Sequence, residues 1–170
     1  MNIAVYCGSA SGNRPSFTEG AKALGSWIAQ NGHTLVYGGS RTGLMGAVAD
    51  AVLAGGGKVI GVIPDVKLIQ ERRHPGLTEC IETKDMAERK QKMIELADAY
   101  VALPGGPGTL DEITDVISLA RLGIEDKPCV LLDIDEFYQP LKTVFDQMLE
   151  VGFAEKGDFR KVLISEDLGK

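Results

Sequence analysis

Short apolar runs recur along the chain at residues 3–7, 34–37, 58–63, 99–103 and 129–132, and most of them close on Gly or Pro. They are rich in Val, Ile, Leu and Tyr and do not alternate strictly with polar residues, the pattern of strands buried on both faces of a parallel sheet. Helical periodicity fills the intervals. Residues 17–30 are amphipathic, with Pro15 near the start and Gly32 just past the end. Residues 44–53 are apolar and end at three glycines, and further helices are expected over 85–97, 109–122 and 136–151. The stretch 64–83 is less regular and predicts a short helix and another strand, while residues 164–170 are too short to assign.

Strand–helix alternation with short connections predicts an open, doubly wound α/β sheet of the Rossmann-like kind, parallel, with helices on both faces. With 170 residues and no linker, repeat or low-complexity tract, one domain spanning residues 1–170 is expected. The net charge of −6 argues against a general nucleic-acid or anionic-membrane binder. No apolar stretch approaches the roughly 20 residues of a bilayer span. The N-terminus reads as a first strand rather than a signal peptide. Cys7, Cys80 and Cys129 are too few for a disulfide framework, so buried free thiols in a reducing, cytoplasmic setting are expected.

In such a sheet, ligands bind beyond the carboxyl ends of the strands. Of the 21 glycines, many group at those ends: Gly8 and Gly12 after the first strand, Gly38 and Gly39 after the second, and residues 104–109 (Pro-Gly-Gly-Pro-Gly-Thr) after Leu103. Gly38 and Gly43 have the glycine spacing of a P-loop, but Leu44 stands where that motif needs Lys, which removes support for nucleoside-triphosphate hydrolysis. Gly106 and Gly108 are followed by Asp111 where a dinucleotide fingerprint needs Gly or Ala, so a dehydrogenase is also disfavoured. What remains is a glycine-rich loop opening a helix. It is either a tight strand-to-helix turn or a cradle whose backbone N–H groups and helix dipole hold one phosphate. Ser9 and Ser40, on neighbouring rims, could donate hydroxyls to the same anion.

Thr109 and Glu112 fit a capping box, with Thr109 at the N-cap and Glu112 reaching back. Alternatively, Glu112 in the first helical turn is held ionised by the dipole and faces a ligand. Within residues 85–97, Met86, Met93 and Ala97 form an apolar stripe, and Arg89 and Lys90 lie on it. Two cations on an inward face must pair with an anion or extend to solvent. Cys7 lacks a neighbouring His and reads as a core thiol, and two scattered histidines give no metal site. The charges of residues 150–161 read as a solvated face.

The sequence from Pro104 to Glu112, PGGPGTLDE, resembles the PGGxGTxxE signature of the LOG ("lonely guy") family, and residues 85–90, DMAERK, look like its accompanying MHxRK motif. Cys7-Gly8-Ser9, Val36-Tyr37-Gly38-Gly39, Gly43-Leu44-Met45-Gly46 and His74-Pro75-Gly76-Leu77 are similar to further blocks of that family in the same order. The resemblance implies a Rossmann-like phosphoribohydrolase that releases a free base from an adenosine-type 5′-monophosphate such as a cytokinin riboside 5′-monophosphate. It implies a catalytic pair, Arg89 and Glu112, and a phosphate site made of Gly105, Gly106, Gly108 and Thr109. Lys90, Asp111 and Glu71 are implied in the substrate site, and Ser9, Gly39, Met86, Pro107 and Leu110 complete the set. It implies a homodimer with sites near the interface, and neither cofactor nor metal. Ala87 stands in place of the motif's usual His, Pro107 in place of the commoner Tyr, and Ser40 in place of a third Gly; these departures bear on base preference and local shape.

An N-glycosidic cleavage would pass through an oxocarbenium-like ribosyl cation, which an ionised Glu112 would stabilise while Arg89 holds it in place. A non-catalytic nucleotide- or cofactor-carrier module would keep the glycine loop but has no need for both Arg89 and Glu112. Members of this family often carry the label lysine decarboxylase. That reaction needs pyridoxal phosphate on a Schiff-base Lys, and no Lys stands out for the role.

Overall fold

The computed structural model describes residues 1–169. Seven strands form one sheet, β1 (Asn2–Tyr6), β2 (Thr34–Tyr37), β3 (Lys58–Pro64), β4 (Glu79–Thr83), β5 (Ala99–Ala102), β6 (Cys129–Leu132) and β7 (Val162–Ser165), in the order β4-β3-β2-β1-β5-β6-β7 with every pairing parallel. The expected doubly wound fold is therefore present, and it includes a strand, β7, that the sequence reading left unassigned. The chain builds outward from β1 to β4, then returns to place β5 on the other side of β1. The gap between β1 and β5 is thus the switch point at which this fold class opens a crevice.

Strand geometry sends successive side chains to opposite faces. Ile3, Val5 and Cys7 pack on one face with Leu35, Tyr37 and Val59, under helices α1 (Pro15–Gln30) and α2 (Gly43–Ala54). Ala4 and Tyr6 face the other way, with Val36, Val62, Tyr100 and Ala102. That face is covered by Met93 and Ala97 of the α4 (Met86–Leu96) region, by Ile113, Val116 and Ile117 of α5 (Pro107–Arg121), and by Phe145 of α6 (Gln139–Glu150). Between β3 and β4 lies the short α3 (Lys67–Glu71), as the irregular stretch predicts.

Helix α5 starts two residues before the expected position. Its N-cap is Gly106 and Pro107 occupies the first turn, where a fixed φ and a missing N–H cost nothing. Thr109 is consequently inside the helix and caps nothing, so the capping-box reading of Thr109 and Glu112 does not hold. Glu112 sits a turn further on than the first-turn position that reading gave it.

Candidate active site

The three glycine-bearing turns meet at one cavity of about 350 Å³. Tyr6, Gly8 and Ser9 line it from the end of β1, Gly38 and Ser40 from the end of β2, and residues 106–109 with Asp111 and Glu112 from α5. Leu68, Ile69 and Arg72 close it from the α3 side, and Met86 and Arg89 from α4. Backbone hydrogen bonds fix these rims to one another: Gly8 N donates to the Pro104 carbonyl (3.1 Å), Met45 N to the Gly8 carbonyl (3.2 Å) and His74 N to the Gly39 carbonyl (2.8 Å).

Arg89 is buried, with 7% of its surface exposed, and its direction is set by the backbone. Nε donates to the Val62 carbonyl (3.0 Å) and Nη2 to the Gly38 carbonyl (2.8 Å). Burial pulls the guanidinium below its ordinary pKa, and the charge of Glu112 pulls it back up. Lys90, the next residue, is a helical step of about 100° away and goes elsewhere. Its ammonium bridges to Asp111 (3.1 Å) and Asp115 (3.5 Å), tying α4 to α5. The two cations of the apolar stripe thus part company: one is held by carbonyls at the cavity wall, the other by carboxylates at its rim.

Glu112 is half-buried and lines the cavity. Burial pushes its carboxyl up from 4.5 to about 7; Asp111 adds to that, while Arg89 and Lys90 oppose it. The sequence expectation that the helix dipole keeps Glu112 fully ionised is corrected on this point. Lying past the first turn, the carboxyl gains little from the dipole, and loss of water around it dominates. A carboxyl with a pKa close to neutral can both take and release a proton at physiological pH.

At the α5 N-terminus no side chain caps the helix, and the extended Gly106 and residues 107–109 of the first turn line the cavity. Gly106 and Gly108 have open space where a Cβ would stand, so a ligand can approach the backbone there. Gly105 is different: a Cβ on it would strike the Thr109 side chain and the Gly8 backbone, so it is a packing glycine behind the loop.

Of the other residues expected at the site, Ser9, Met86, Pro107, Thr109 and Asp111 line the cavity. Gly39, Lys90, Gly105 and Leu110 flank it without lining it. Glu71 lies outside: its exposed carboxylate faces Lys67 (3.9 Å), and its carbonyl accepts from Arg41 (2.6 Å). Cys7 is buried at the cavity floor, and burial drives its thiol far above its usual pKa, away from any nucleophilic thiolate. Two polar side chains in the lining carry no sequence motif. Tyr6 reads simply as a strand residue, and Arg72 as one charge in a charged stretch. Among the described residues, no group of three or more His, Cys, Asp or Glu is arranged to hold a metal ion, and no helix is long and apolar enough to cross a membrane.

A family model described as "Possible lysine decarboxylase" matches residues 45–169. The chain is 41% identical over 168 residues to the cytokinin riboside 5′-monophosphate phosphoribohydrolase of Rhodococcoides fascians, an alignment covering 98% of this chain and 85% of that protein. It is 45% identical over 163 residues to the cytokinin riboside 5′-monophosphate phosphoribohydrolase LOG of Oryza sativa subsp. japonica, covering 96% of this chain and 67% of that protein. Among solved structures, the Moco carrier protein of Chlamydomonas reinhardtii superposes with a TM-score of 0.73 over 99% of this chain and 90% of that one, at 24% identity. That last likeness is one of fold alone.

Proposed function

The chain belongs to the LOG family of cytokinin riboside 5′-monophosphate phosphoribohydrolases, and from that premise we propose that it hydrolyses the N-glycosidic bond of N6-substituted adenosine 5′-monophosphates to the free base and ribose 5-phosphate. The observation that carries the reading is the convergence, in one cavity, of an uncapped glycine-lined helix N-terminus, a buried Arg89 and a carboxyl, Glu112, with a pKa of about 7.

The 5′-phosphate binds at residues 106–109, where the backbone amides and the positive end of the α5 dipole meet it. This remote contact fixes the ribose without taking part in bond breaking. Glu112 then faces the anomeric carbon. In its ionised form it stabilises the positive charge that develops on the ribose and draws a proton from the attacking water. Arg89 keeps the carboxyl partly ionised in spite of its burial. The apolar chains of Leu68, Ile69 and Met86, with Arg72 beside them, form the opposite wall and receive the base. The cavity lining contains no Lys to form a Schiff base, so lysine decarboxylation has no residue to work with here.

The whole chain acts as one functional unit, in the cytoplasm, as a homodimer with sites near the interface. The exposed apolar side chains of Met86 and Leu110 next to the cavity support that assembly, and sedimentation at micromolar concentration tests it. The function is tested by chromatography of base released from AMP and from N6-isopentenyladenosine 5′-monophosphate, with the unphosphorylated nucleosides as controls. Release from the monophosphates only is the expected result. Binding without release would leave a nucleotide carrier instead.

A further inference from the structure

Four tyrosines occur in the chain, and all four are buried. Three spend their hydroxyls on the protein: Tyr37 donates to the Ser40 carbonyl (2.9 Å), Tyr100 to the Glu125 carboxylate (2.9 Å) and Tyr138 to the Leu103 carbonyl (2.6 Å). Tyr6 is just as buried, with 2% of its surface exposed, yet among the described residues nothing hydrogen-bonds its hydroxyl. It lines the cavity, and among the described residues no buried side-chain oxygen or nitrogen is left sealed without a partner, so the Tyr6 hydroxyl is open to the cavity. A phenol in that position takes its hydrogen bond from whatever enters.

Strand alternation decides what Tyr6 faces. Val5 and Cys7 point toward α1 and α2, whereas Tyr6 points toward α4 and α5, the helices that carry Arg89 and Glu112. Tyr6, Arg89 and Glu112 all line the same cavity, so the three groups surround one space. Burial keeps the phenol protonated well beyond physiological pH, which makes it a permanent donor.

We propose that Tyr6 is a positioning residue for hydrolysis: its hydroxyl donates a hydrogen bond to the attacking water, which Glu112 holds from the other side. The inference rests on the phosphoribohydrolase reading and adds the group that orients its nucleophile. In the step, the water oxygen bonds to the anomeric carbon as the bond to the base nitrogen breaks, and that bonding pair leaves with the base. The proton shed by the water passes to Glu112 and then to solvent, and solvent supplies the proton that the base nitrogen gains. The Tyr6 proton stays on its own oxygen throughout.

Tyr6→Phe keeps the ring and removes only the donor. Base release from the preferred monophosphate should fall in kcat by about 10- to 100-fold, with KM changed by less than about threefold. A second readout does not depend on how much of the variant is folded. In aqueous methanol, the fraction of product formed as methyl riboside 5-phosphate should rise in Tyr6→Phe, because the nucleophile is no longer selected by two fixed partners. Unchanged kcat and unchanged methanol partition in Tyr6→Phe, with the wild type active, would overturn the inference alone. A rise in KM without a fall in kcat would overturn it too, by assigning the hydroxyl to substrate binding. A wild-type protein that releases no base from any monophosphate overturns the reading of the site, and this inference with it.

Discussion

The Arg89 guanidinium occupies the volume that a side chain at Gly38 would need, and it donates to the Gly38 carbonyl over 2.8 Å. The glycine at the end of β2 is therefore a socket for the arginine, and its second wall is the Met45 methyl group. Gly38→Ala should displace Arg89 from the cavity wall. Turnover is expected to drop at least about tenfold, and stability by about 1–3 kcal/mol from overpacking a closed site. Base-release kinetics and urea unfolding measure the two effects separately. Wild-type kinetics in a folded Gly38→Ala protein would show that Arg89 has no role in the reaction.

Arg89 also supports the fold, so its substitutions should cost more than activity. Arg89→Ala strips the donors from the Val62 and Gly38 carbonyls and is expected to lower stability by about 1–3 kcal/mol. Arg89→Lys keeps a cation but cannot serve both carbonyls, because an ammonium is a point donor without the guanidinium's fork. Activity should remain low in Arg89→Lys even where thermal melting shows the fold largely restored. Recovery of turnover along with stability would mean that charge alone, without direction, is what the site requires.

The glycine turns and Arg89 are legible in the sequence because each breaks a local rule: glycines gather where strands end, and cations lie on an apolar stripe. Glu112 breaks none, and its pairing with Arg89 comes from the resemblance to the family motifs. The inner strands are legible because burial on both faces makes them continuous apolar runs. The edge strand β7 is not, since its pattern is only partly buried and a short run at the chain's end looks like any tail. The start of α5 was obscured by Thr109-x-x-Glu112, whose spacing imitates a capping box, while Pro107 sets the helix going earlier. Tyr6 carries no signal at all along the chain. Its significance comes from the unpartnered hydroxyl, which only the packing of α4 and α5 over β1 reveals.

Glu112 couples the site to pH in two opposing ways. Its carboxyl titrates at about 7 in the folded protein against 4.5 ordinarily, so between those values the folded state binds the extra proton. Stability from this group is thus fully present below about pH 4.5 and is lost as pH rises through about 7. Each pKa unit is worth about 1.4 kcal/mol, so a contribution of order 1–3 kcal/mol is at stake. Catalysis needs the ionised form, so kcat should rise through the same pH range in which stability falls. Glu112→Gln should abolish most turnover, by about 10²- to 10⁴-fold, and flatten the stability profile between pH 5 and 8. Urea midpoints at a series of pH values test the slope. An equal slope in both proteins would assign the titration elsewhere.

The phosphate loop gives the sharpest separation of binding from folding. Gly108 lies in the first turn of α5 with no atom within 4 Å of the position a Cβ would take, and it is solvent-exposed. A side chain there meets the ligand and not the protein, so Gly108→Ala should melt within about 1 kcal/mol of the wild type. Gly108→Asp puts a carboxylate where the 5′-phosphate is bound, and like charges in that space repel while the amides they would share are fixed in number. KM for the monophosphate should rise by about 10- to 100-fold, with a smaller fall in kcat, because the remote anchor holds the ribose rather than stabilising the developing charge. Isothermal titration with ribose 5-phosphate reads the same anchor without chemistry. If Gly108→Asp bound it as tightly as the wild type, the phosphate would have to lie somewhere other than the α5 N-terminus.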